Sequence, residues 1–576
     1  MPTLASAQKT IRSFLGVNLR RDRLDLEDYE LAKAINADLH SMLGSISLRL
    51  GRTSLFSSSL GGSVRRMGKV NSIRYQVANQ TLYRNQSSIS TSLSANKITT
   101  IGSYRPLSDA TLWAFIADDA QMKKDDGTNL RNWGIVAPTV APSVTQDATG
   151  GSLTAGTYQV QYTYVRKSGS TVACESNPSP AGSAVSSGSD SLDIVVTPST
   201  DPQVTKVRLY RTISGGSDFL YLGEYTNDSS IKVNGASDSS LGAEVETDHD
   251  PPVNAHWFTV WNDSGWLLGD VNNPDWLYFS NRFLPEYFPP EQYLELGDAN
   301  DPLQCAVPSV GMLGVFSRKT KYRIVGNILS GYVGIEAISR RGTMAPNAVI
   351  NSEQGIIFPA SDGVFISSLS SPDISISADI DPLIFGESVN DFNAVNWSAA
   401  STMASGYYKG RYYWAYPSGS NTTPDIMAVY SFDTKKWYFY QIPMQSILYE
   451  EDTDQFIGGG TDGVCYQLED GATDNGSDIA MTVETKDYTT SDPDVRRIYQ
   501  FFKVDADCFN DTLNVEIFID NVSKGQYAIT GSRTKIVENL PEGSMGFTHR
   551  FKFTYTGSSR IRIYGVQMIS VPLGAS

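Results

Sequence analysis

The sequence is poor in the residues that build disulfides and thiolate metal sites. Only four cysteines occur among 576 residues, and no two of them form a Cys-x-x-Cys pair. A disulfide framework or a cysteine-based metal centre is therefore not expected. We expect these cysteines to be buried as small apolar residues: Cys174, Cys305, Cys465 and Cys508.

Long apolar runs are also missing. No stretch approaches the roughly 20 residues of a membrane-spanning helix. The first residues, from Met1 to Thr10, lack the long apolar core of a signal peptide. These absences predict a soluble protein that is made in a cytoplasm and does not insert into a membrane.

The signatures of common catalytic sites are absent as well. The chain has four histidines, and none stands in a His-x-His or His-Glu-x-x-His pattern, so we do not expect a metal site. There is no Gly-x-Ser-x-Gly elbow and no glycine loop ending in Lys-Ser or Lys-Thr. We therefore expect no enzyme activity, no cofactor, and no catalytic, cofactor-binding or metal-binding residues. The histidines are His40, His249, His256 (expected to be a packed ring beside Trp257) and His549.

Charged residues are few, and acidic ones predominate. Lysine and arginine number 46 against 62 aspartates and glutamates, which gives a net charge of −16. A protein that grips nucleic acid by neutralising phosphates needs the opposite balance. The charge is compatible with a surface past which DNA slides without sticking, because like charges repel. Solubility alone is an equally good explanation of the charge.

The residues that are abundant favour strands and turns. Tyrosine occurs 30 times, phenylalanine 23 times and glycine 48 times. Aromatic residues are enriched in strands and glycine in tight turns, so the composition predicts an all-β protein. A chain of 576 residues is too long for one ordinary domain, and we expect two to four domains.

One small hairpin pattern recurs between residues 265 and 470. The segments 355–367 and 455–467 each place an Asp-Gly-Val turn between an apolar strand and an alternating strand. Asp-Gly suits a tight turn because glycine adopts positive φ without strain. The offset of 462 − 362 = 100 residues is about two propeller blades of roughly 40–50 residues each. A β-propeller is the favoured interpretation, and a β-sandwich with ordinary hairpins is the alternative.

The pattern also divides the chain into segments. Looser hairpins in 70–135 extend the propeller theme, so its first blades are assigned to 45–135 and the remaining blades to 253–479. Six or seven short strands bounded by Pro-rich junctions predict an inserted immunoglobulin-like or fibronectin type III-like sandwich at 136–252. Cleanly alternating strands predict a second sandwich at 480–576.

The N-terminal segment, residues 1–44, is read as an arm with a short helix. Asp25 or Asp28 is positioned to cap a helix from Tyr29 to Asn36. Gly44 then starts a strand over Ser45 to Leu50.

Three short motifs in this region resemble the opening of the tail nozzle, or tail hub, proteins of short-tailed bacteriophages. The matching residues are Gly16-Val-Asn18, Asn36-Ala-Asp38 and Ser47-Leu-Arg-Leu-Gly51. They cover about a tenth of the chain. The strand order of the inserted sandwich and the segment from Thr485 to Lys503 are also similar to those of tail hub proteins.

The resemblance implies a structural virion protein in a phage tail, synthesised in the bacterial host cytoplasm. Members of the family form a homo-oligomeric ring, here expected to be a hexamer, below the head-to-tail adaptor and portal. Tail fibres or tailspikes dock on its flank, and double-stranded DNA passes through its channel during ejection without specific binding. The acidic composition adds the expectation that the channel wall is acidic or neutral.

Two other functions remain open on the sequence. A carbohydrate-binding propeller, with or without glycosidase activity, is the main alternative, because propellers host glycosidases with paired carboxylates. Asp362 and Asp462 occupy equivalent turn positions, however, and turn chemistry alone accounts for both. The third candidate is a generic propeller scaffold of cellular origin. The basic pairs are expected to be surface or interface groups: Arg65-Arg66, Arg340-Arg341 and Arg496-Arg497.

Overall fold

The computed structural model describes residues 7–95, 97–228, 231–327, 332–489, 494–531 and 534–573. Strands make up 52% of it and helix 3%, so the predicted all-β class is confirmed. Among the described residues no helix is long and apolar enough to cross a membrane. The short helices are Asp238–Ser240, Pro346–Ala348, Ala378–Ile380, Asp381–Ile384 and Trp397–Thr402.

The chain divides into two units. Unit 1 comprises Met1–Met67, Gln76–Asn79 and Arg340–Ser576, and unit 2 comprises Gly68–Tyr75 and Gln80–Ser339. This division does not follow the five segments read from the sequence, which stay a prediction. Each unit is a set of mainly antiparallel sheets with its own core.

Groups of four antiparallel strands recur along the chain, and we number these groups as sheets in chain order. Sheet 1 contains residues of both units, and sheets 2 to 4 belong to unit 2. Sheet 1 has Val64–Val70, Ile73–Ala78, Thr81–Arg84 and Ser87–Ser90; sheet 2 has Thr99–Tyr104, Trp113–Asp118, Gln121–Asp125 and Leu130–Asn132; sheet 3 has Trp257–Trp261, Ser264–Leu268, Trp276–Phe279 and Tyr293–Glu295; sheet 4 has Leu303–Ser309, Met312–Ser317, Lys321–Asn327 and Tyr332–Ser339.

Sheets 5 to 7 belong to unit 1. The fourth strand of sheet 7 comes from the N-terminal region, where Arg52–Ser54 pairs antiparallel with Cys465–Leu468. Sheet 5 has Ile350–Ser352, Gly355–Ala360, Gly363–Ser367 and Ile374–Ser375; sheet 6 has Ala404–Tyr408, Arg411–Tyr416, Ile426–Ser431 and Lys436–Tyr440; sheet 7 has Met444–Glu450, Gln455–Gly460, Cys465–Leu468 and Arg52–Ser54.

Sheet 6 is part of a ten-stranded sheet that continues into the two ends of the chain. After Lys436–Tyr440 the strand order is Gly16–Val17, Glu30–Ile35, Ile479–Thr485, His549–Gly557, Phe509–Ile519 and Val522–Gly531. A seven-stranded sheet shares the core of unit 1 with it. Its strands are Ala7–Ile11, Ala37–Asp38, Ile46–Leu48, Arg497–Asp507, Thr534–Asn539, Met545–Gly546 and Arg562–Pro572.

The predicted N-terminal helix is wrong. Residues Glu30–Ile35 form a strand, which pairs in parallel with Gly16–Val17 and antiparallel with Ile479–Thr485. Five of its six side chains are buried, because the strand lies inside the ten-stranded sheet with both faces covered. Its apolar residues, Leu31, Ala32, Ala34 and Ile35, fit a buried helix as well as a strand covered on both faces, so the local pattern does not distinguish the two. Of the two proposed caps, Asp28 instead forms an ion pair with Lys9 at 2.5 Å.

The C-terminal block also differs from its prediction in one respect. Strands of residues 479–573 lie in both large sheets, but the N-terminal strands Ala7–Ile11 and Ile46–Leu48 pair with Arg562–Pro572. The strand read at 45–50 therefore belongs to this block and not to the first of the four-stranded sheets.

In unit 2, two further sheets lie between sheets 2 and 3 in sequence and share one core. Tyr158, Tyr162 and Leu209 of the larger sheet pack with Leu192 and Ile194 of the smaller. The smaller has Ser143–Asp147, Ser191–Val195 and Ile231–Asn234; the larger has Gly156–Ser168, Thr171–Glu175, Gly182–Ser186, Lys206–Arg211 and Leu220–Thr226.

A buried ion network crosses unit 2 beside this module. Arg166 on its longest strand donates to Asp109 at 2.5 Å and to Glu286 at 2.6 Å, and Lys124 of sheet 2 also contacts Glu286. All four side chains are nearly or fully buried. Buried charges persist only when they are paired, so this network fixes the module against the residues that flank it in sequence.

The hairpin turn of sheet 5 has the backbone geometry that its sequence predicts. Gly363 has φ +151°, and a Cβ atom at this position would lie 2.8 Å from the ring of Phe365. The equivalent glycine of sheet 7, Gly463, has φ +84°. Both glycines of the repeated Asp-Gly pair are therefore required by backbone conformation.

Replacing Gly363 with valine should lower the free energy of unfolding by about 2 kcal/mol, because positive φ strains any residue with a Cβ and because the added Cβ would press on the ring of Phe365. Chemical denaturation measures the change. Gly386→Val is the matched control: Gly386 has φ +94°, but a Cβ atom at this position would have no neighbour within 4 Å. The control should lose only the stability that backbone strain costs. A Gly363→Val protein as stable as the wild type would contradict the conclusion that the turn conformation requires glycine.

Candidate functional site

Two of the three N-terminal motifs that carry the resemblance meet in a polar cluster in unit 1. Asn36 is its centre and adopts a left-handed conformation with φ 54°. Its side-chain Nδ2 donates to the Ala480 carbonyl at 2.7 Å. Its Oδ1 accepts from Arg49 Nε at 2.9 Å and from the Gln441 backbone N–H at 2.9 Å. Asparagine tolerates this conformation better than most residues, and its amide joins sheet 6, the C-terminal block and the third motif.

Arg49 supplies the charge of the cluster. Its side chain is 1% exposed and binds Asp474 through two nitrogens, at 2.9 and 2.6 Å. A third contact runs from Nη1 to the Leu50 carbonyl at 2.9 Å. Such a bidentate pair fixes both position and orientation, so Arg49 anchors the N-terminal segment to the end of sheet 7.

Asp38 forms the second ion pair of the cluster. It is 3% exposed and accepts from Arg560 Nη2 at 2.5 Å and from the His40 backbone N–H at 2.9 Å. Burial raises the pKa of Asp38, but hydrogen bonds from Ser41 and the positive charge of Arg411 outweigh it, so the pKa lies below its ordinary value. Asp38 is therefore a charged, structural carboxylate.

The first motif forms a separate ion pair nearby in unit 1. Asn18 donates to Glu30 at 3.0 Å, and Lys436 binds both Glu30 at 2.6 Å and Asp379 at 2.8 Å. These groups border a cavity of about 480 Å³. Burial lowers the pKa of Lys436, but its two carboxylate partners raise it by more, and the net shift is upward. The ammonium is thus held charged at the mouth of the cavity.

A larger cavity of about 640 Å³ lies along the first strands of sheets 5, 6 and 7. Tyr407 hydrogen-bonds Glu353, and Tyr408 stacks on Phe456 with ring centres 5.0 Å apart. Tyr449 is 39% exposed. Aromatic rings with carboxylates beside them suit a ligand that has both apolar faces and hydroxyl groups.

Unit 2 contains a group that could hold a metal ion. Ligating atoms of Glu246, Asp248 and His249 lie within 4.8 Å of one another. His249 Nε2 is 2.9 Å from Glu246, and the ring stacks on Tyr287 at 4.0 Å. Glu246 and His249 also border a cavity of about 360 Å³. The sequence motifs for metal sites require paired histidines or cysteines at short spacing. This group has one histidine and two loop carboxylates, so no such motif indicates it.

The two turn aspartates are engaged in local structure. Asp362 pairs with Arg341 at 2.8 Å. Asp462 accepts from the Tyr466 hydroxyl at 2.6 Å and from the Val464 backbone N–H at 3.1 Å. Asp462 thus organises its own hairpin, as turn chemistry predicts, whereas Asp362 ties its hairpin to Arg341, a residue that precedes sheet 5.

The predictions for the basic pairs and cysteines had different outcomes. Arg65 and Arg497 are buried, at 8% and 7% exposure, so the expectation that all three pairs are surface or interface groups is wrong for these two residues. The prediction that all four cysteines are buried is confirmed, and all are free thiols.

The histidines also occupy distinct environments. The expectation that His256 is only a packed ring is incomplete, because its Nδ1 lies 3.0 Å from Asp119. His549 is enclosed in the C-terminal block among Tyr488, Tyr499 and Phe551. Both of its ring nitrogens are buried without a hydrogen-bond partner. Burial, with a smaller contribution from Lys9, lowers the pKa of His549 to about 3.

Comparison with known proteins gives no family. No family model matches the chain, and no curated protein matches it. Among solved structures, an exo-β-1,3-galactanase from Phanerochaete chrysosporium is similar over 54% of this chain and 95% of its own, with 8% identity and a TM-score of 0.21. Saccharomyces cerevisiae Sqt1 is similar over 73% and 97%, with 9% identity and a TM-score of 0.29.

A third similar structure is the extracellular domain of a one-component system from B. thetaiotaomicron. It covers 91% of this chain and 78% of its own, with 10% identity and a TM-score of 0.25. TM-scores of this size carry no argument about arrangement or function, so the residues themselves remain the basis for both.

Proposed function

We propose that this chain is a structural subunit of the nozzle, or hub, of a short non-contractile bacteriophage tail. It would form a homo-oligomeric ring, expected to be a hexamer, below the adaptor and portal. Its flank would carry tail fibres or tailspikes, and its channel would pass double-stranded DNA. In this proposal the protein works mechanically and electrostatically, without catalysis.

The observation that supports the proposal is the use made of the motif residues. Asn36, Asp38 and Arg49, by which the sequence resembles the family, are buried in one cluster that joins both ends of the chain to sheet 6. Motif residues that make buried contacts of this kind are determined by how the chain folds. The resemblance therefore concerns the contacts that hold the N-terminal segment in place. Similarity of this kind is expected between members of a structural family.

We further propose that sheets 1 to 7 are the blades of one β-propeller. The inserted immunoglobulin-like or fibronectin-like sandwich would lie between the second and third blades. Within unit 2 the first strands of sheets 2, 3 and 4 contact in succession, and within unit 1 those of sheets 5, 6 and 7 do the same. The N-terminal strand Arg52–Ser54 completes sheet 7, which is how a propeller can close without leaving a free edge.

Carbohydrate binding is the second candidate, and the tyrosine-lined cavity of unit 1 supports it. Tyr407 and Tyr449 offer ring surface, and Glu353 and Glu451 offer acceptors for hydroxyl groups. The two candidates differ in what they require of the purified protein. A nozzle subunit must assemble with copies of itself, whereas a glycan-binding protein must recognise a specific sugar.

Electron microscopy of the purified full-length protein should show closed rings with an axial opening. Duplex DNA should not be retained by these rings in a gel shift at about 0.15 M salt, because an acidic wall cannot release phosphate counterions. A protein that stays monomeric at all concentrations and binds one glycan specifically on an array would contradict the proposal. Loss of that binding in Tyr449→Ala would then assign the sugar to the tyrosine-lined cavity.

A further inference from the structure

Three side chains that can ligate a metal lie together in unit 2, on the segment that follows the two-sheet module. They are Glu246, Asp248 and His249, and their ligating atoms lie within 4.8 Å of one another. His249 Nε2 is 2.9 Å from a Glu246 oxygen and 3.8 Å from Asp248 Oδ1. We call these three residues the chelate group.

The spacing of these atoms suits a small divalent ion. Nitrogen and oxygen ligands lie about 2.0–2.2 Å from zinc, and at the corners of a tetrahedron they are then about 3.3–3.6 Å from one another. The distances from His249 Nε2 to the two carboxylates, 2.9 and 3.8 Å, fall on either side of this value. Side-chain rotation alone would therefore admit the ion between them.

The imidazole of the group is already fixed in position. The His249 side chain is 7% exposed, and its ring stacks on Tyr287 with ring centres 4.0 Å apart. Its backbone N–H donates to Asn177 Oδ1 at 2.8 Å. Because the ring is held on one face and at its backbone, little conformational freedom remains to be lost when it binds an ion.

One of the two carboxylates is oriented in the same way. Asn281 Nδ2 donates to Asp248 Oδ2 at 2.9 Å, which leaves Oδ1 on the side of His249. Contacts of this kind, made by groups that do not touch the ion, hold metal ligands in their binding orientation. The Glu246 and Asp248 side chains are 74% and 56% exposed, so an ion from solution can reach the group.

The charges of the group are not balanced by the chain. Among the described residues, neither Glu246 nor Asp248 forms an ion pair with a lysine or an arginine, and both lie beside the same imidazole nitrogen. That nitrogen carries at most one hydrogen to donate. A divalent cation would contact all three ligands at once and would neutralise both carboxylates.

The donor set indicates which class of metal fits. Calcium and magnesium prefer oxygen ligands alone, whereas an imidazole nitrogen suits zinc and its neighbours. His249 Nδ1 is buried with no hydrogen-bond partner, although the second nitrogen of a metal-bound histidine usually donates to an acceptor. Loss of such an acceptor typically costs about 10–100-fold in affinity, so we expect binding in the micromolar range.

We propose that Glu246, Asp248 and His249 bind one zinc ion, with water as the fourth ligand. The ion is structural: it would fasten the segment after the module to the residues that hold His249 and Asp248, namely Asn177, Asn281 and Tyr287. The site departs from the expectation that the chain has no metal-binding residues. It is independent of the proposed function and would exist in a protein of any of the candidate classes.

The first test is a calorimetric titration of the full-length protein with zinc chloride, after treatment with EDTA. One ion per chain should bind with micromolar affinity. The double variant Glu246→Gln, Asp248→Asn keeps the size of both exposed side chains, so it should fold, and its affinity should fall at least about tenfold.

Glu244→Gln is the matched control. Glu244 borders the same cavity as Glu246 and His249 but does not belong to the chelate group, so its variant should bind zinc as the wild type does. Equal affinity in the double variant and the control would place the zinc elsewhere and refute the site. No binding at millimolar zinc, or calcium bound as tightly as zinc, would overturn the proposal.

The second test concerns the structural role. The thermal midpoint of unit 2 in the full-length protein should be about 5 °C higher at a zinc concentration of about 100 times the dissociation constant than in EDTA, because an ion that binds the folded state stabilises it. The double variant should lose this shift, and Glu244→Gln should keep it. Zinc binding by the wild type without any shift would refute the structural role.

Discussion

Arg49→Leu should lower the free energy of unfolding of unit 1 by about 3–5 kcal/mol, the usual cost of removing one partner from a buried ion pair. The side chain is 1% exposed. Its loss leaves Asp474 without its bidentate partner and Asn36 Oδ1 without one of its two donors. Urea denaturation followed by tryptophan fluorescence measures the change.

Two further variants separate burial from charge. Arg49→Met combined with Asp474→Leu removes both charges and should be more stable than Arg49→Leu alone, because no unpaired charge remains buried. Lys409→Met breaks an ion pair whose partners are both 60% exposed, and it should cost no more than about 1 kcal/mol. If Arg49→Leu were as mild as Lys409→Met, the polar cluster would not anchor the N-terminal segment.

The protein should lose stability as the pH falls below about 6.5, and His549 should cause much of this loss. The pKa of His549 is about 3 when folded, against 6.5 for an ordinary histidine. Between these values the unfolded chain binds a proton that the folded protein does not. The full contribution is therefore present above pH 6.5, and about 1.4 kcal/mol is lost for each pH unit below it.

His549→Phe should flatten the dependence of unfolding free energy on pH between about 4.5 and 6.5. Phenylalanine fits a site formed by Tyr488, Tyr499 and Phe551. The nearby cation is Lys9, which also lowers the pKa of His549. His40, whose pKa is lowered by burial and by Arg411, accounts for a remaining slope in this range.

The control for this experiment is His256→Gln. The substitution removes a histidine from unit 2 and leaves the surroundings of His549 in unit 1 unchanged, so the loss caused by His549 should remain. Carboxylates with lowered pKa, such as Asp38 and Asp109, act mainly below pH 4.5 and lie outside the range measured. An unchanged slope in His549→Phe would show that the ring is protonated at little cost.

Local features of the fold were predictable because their causes are local. The Asp-Gly turns at 362–363 and 462–463 depend on the positive φ of one glycine, which neighbouring residues do not change. The alternating strands of the C-terminal block each have one buried and one exposed face, so their period of two is visible in the sequence. The burial of the four cysteines follows from their small apolar side chains in a chain without disulfide spacing.

The N-terminal strand and the polar clusters were not predictable in this way. Glu30–Ile35 is a strand because Gly16–Val17 and Ile479–Thr485 pair with it, and its own residue pattern suits a helix equally well. Arg49 and Asp474 are 425 positions apart. Nothing near Arg49 in sequence indicates that it will be buried, since an isolated arginine is usually exposed.

The sequence by itself therefore determined the all-β class, the hairpin turns and the acidic balance, because strand alternation, turn conformation and net charge depend on residue type and close neighbours. Only the tertiary structure decided which ends of the chain share a sheet and which charges are buried as pairs. These features depend on contacts between residues hundreds of positions apart. At such contacts burial removes water, so a polar group without a hydrogen-bond partner costs free energy.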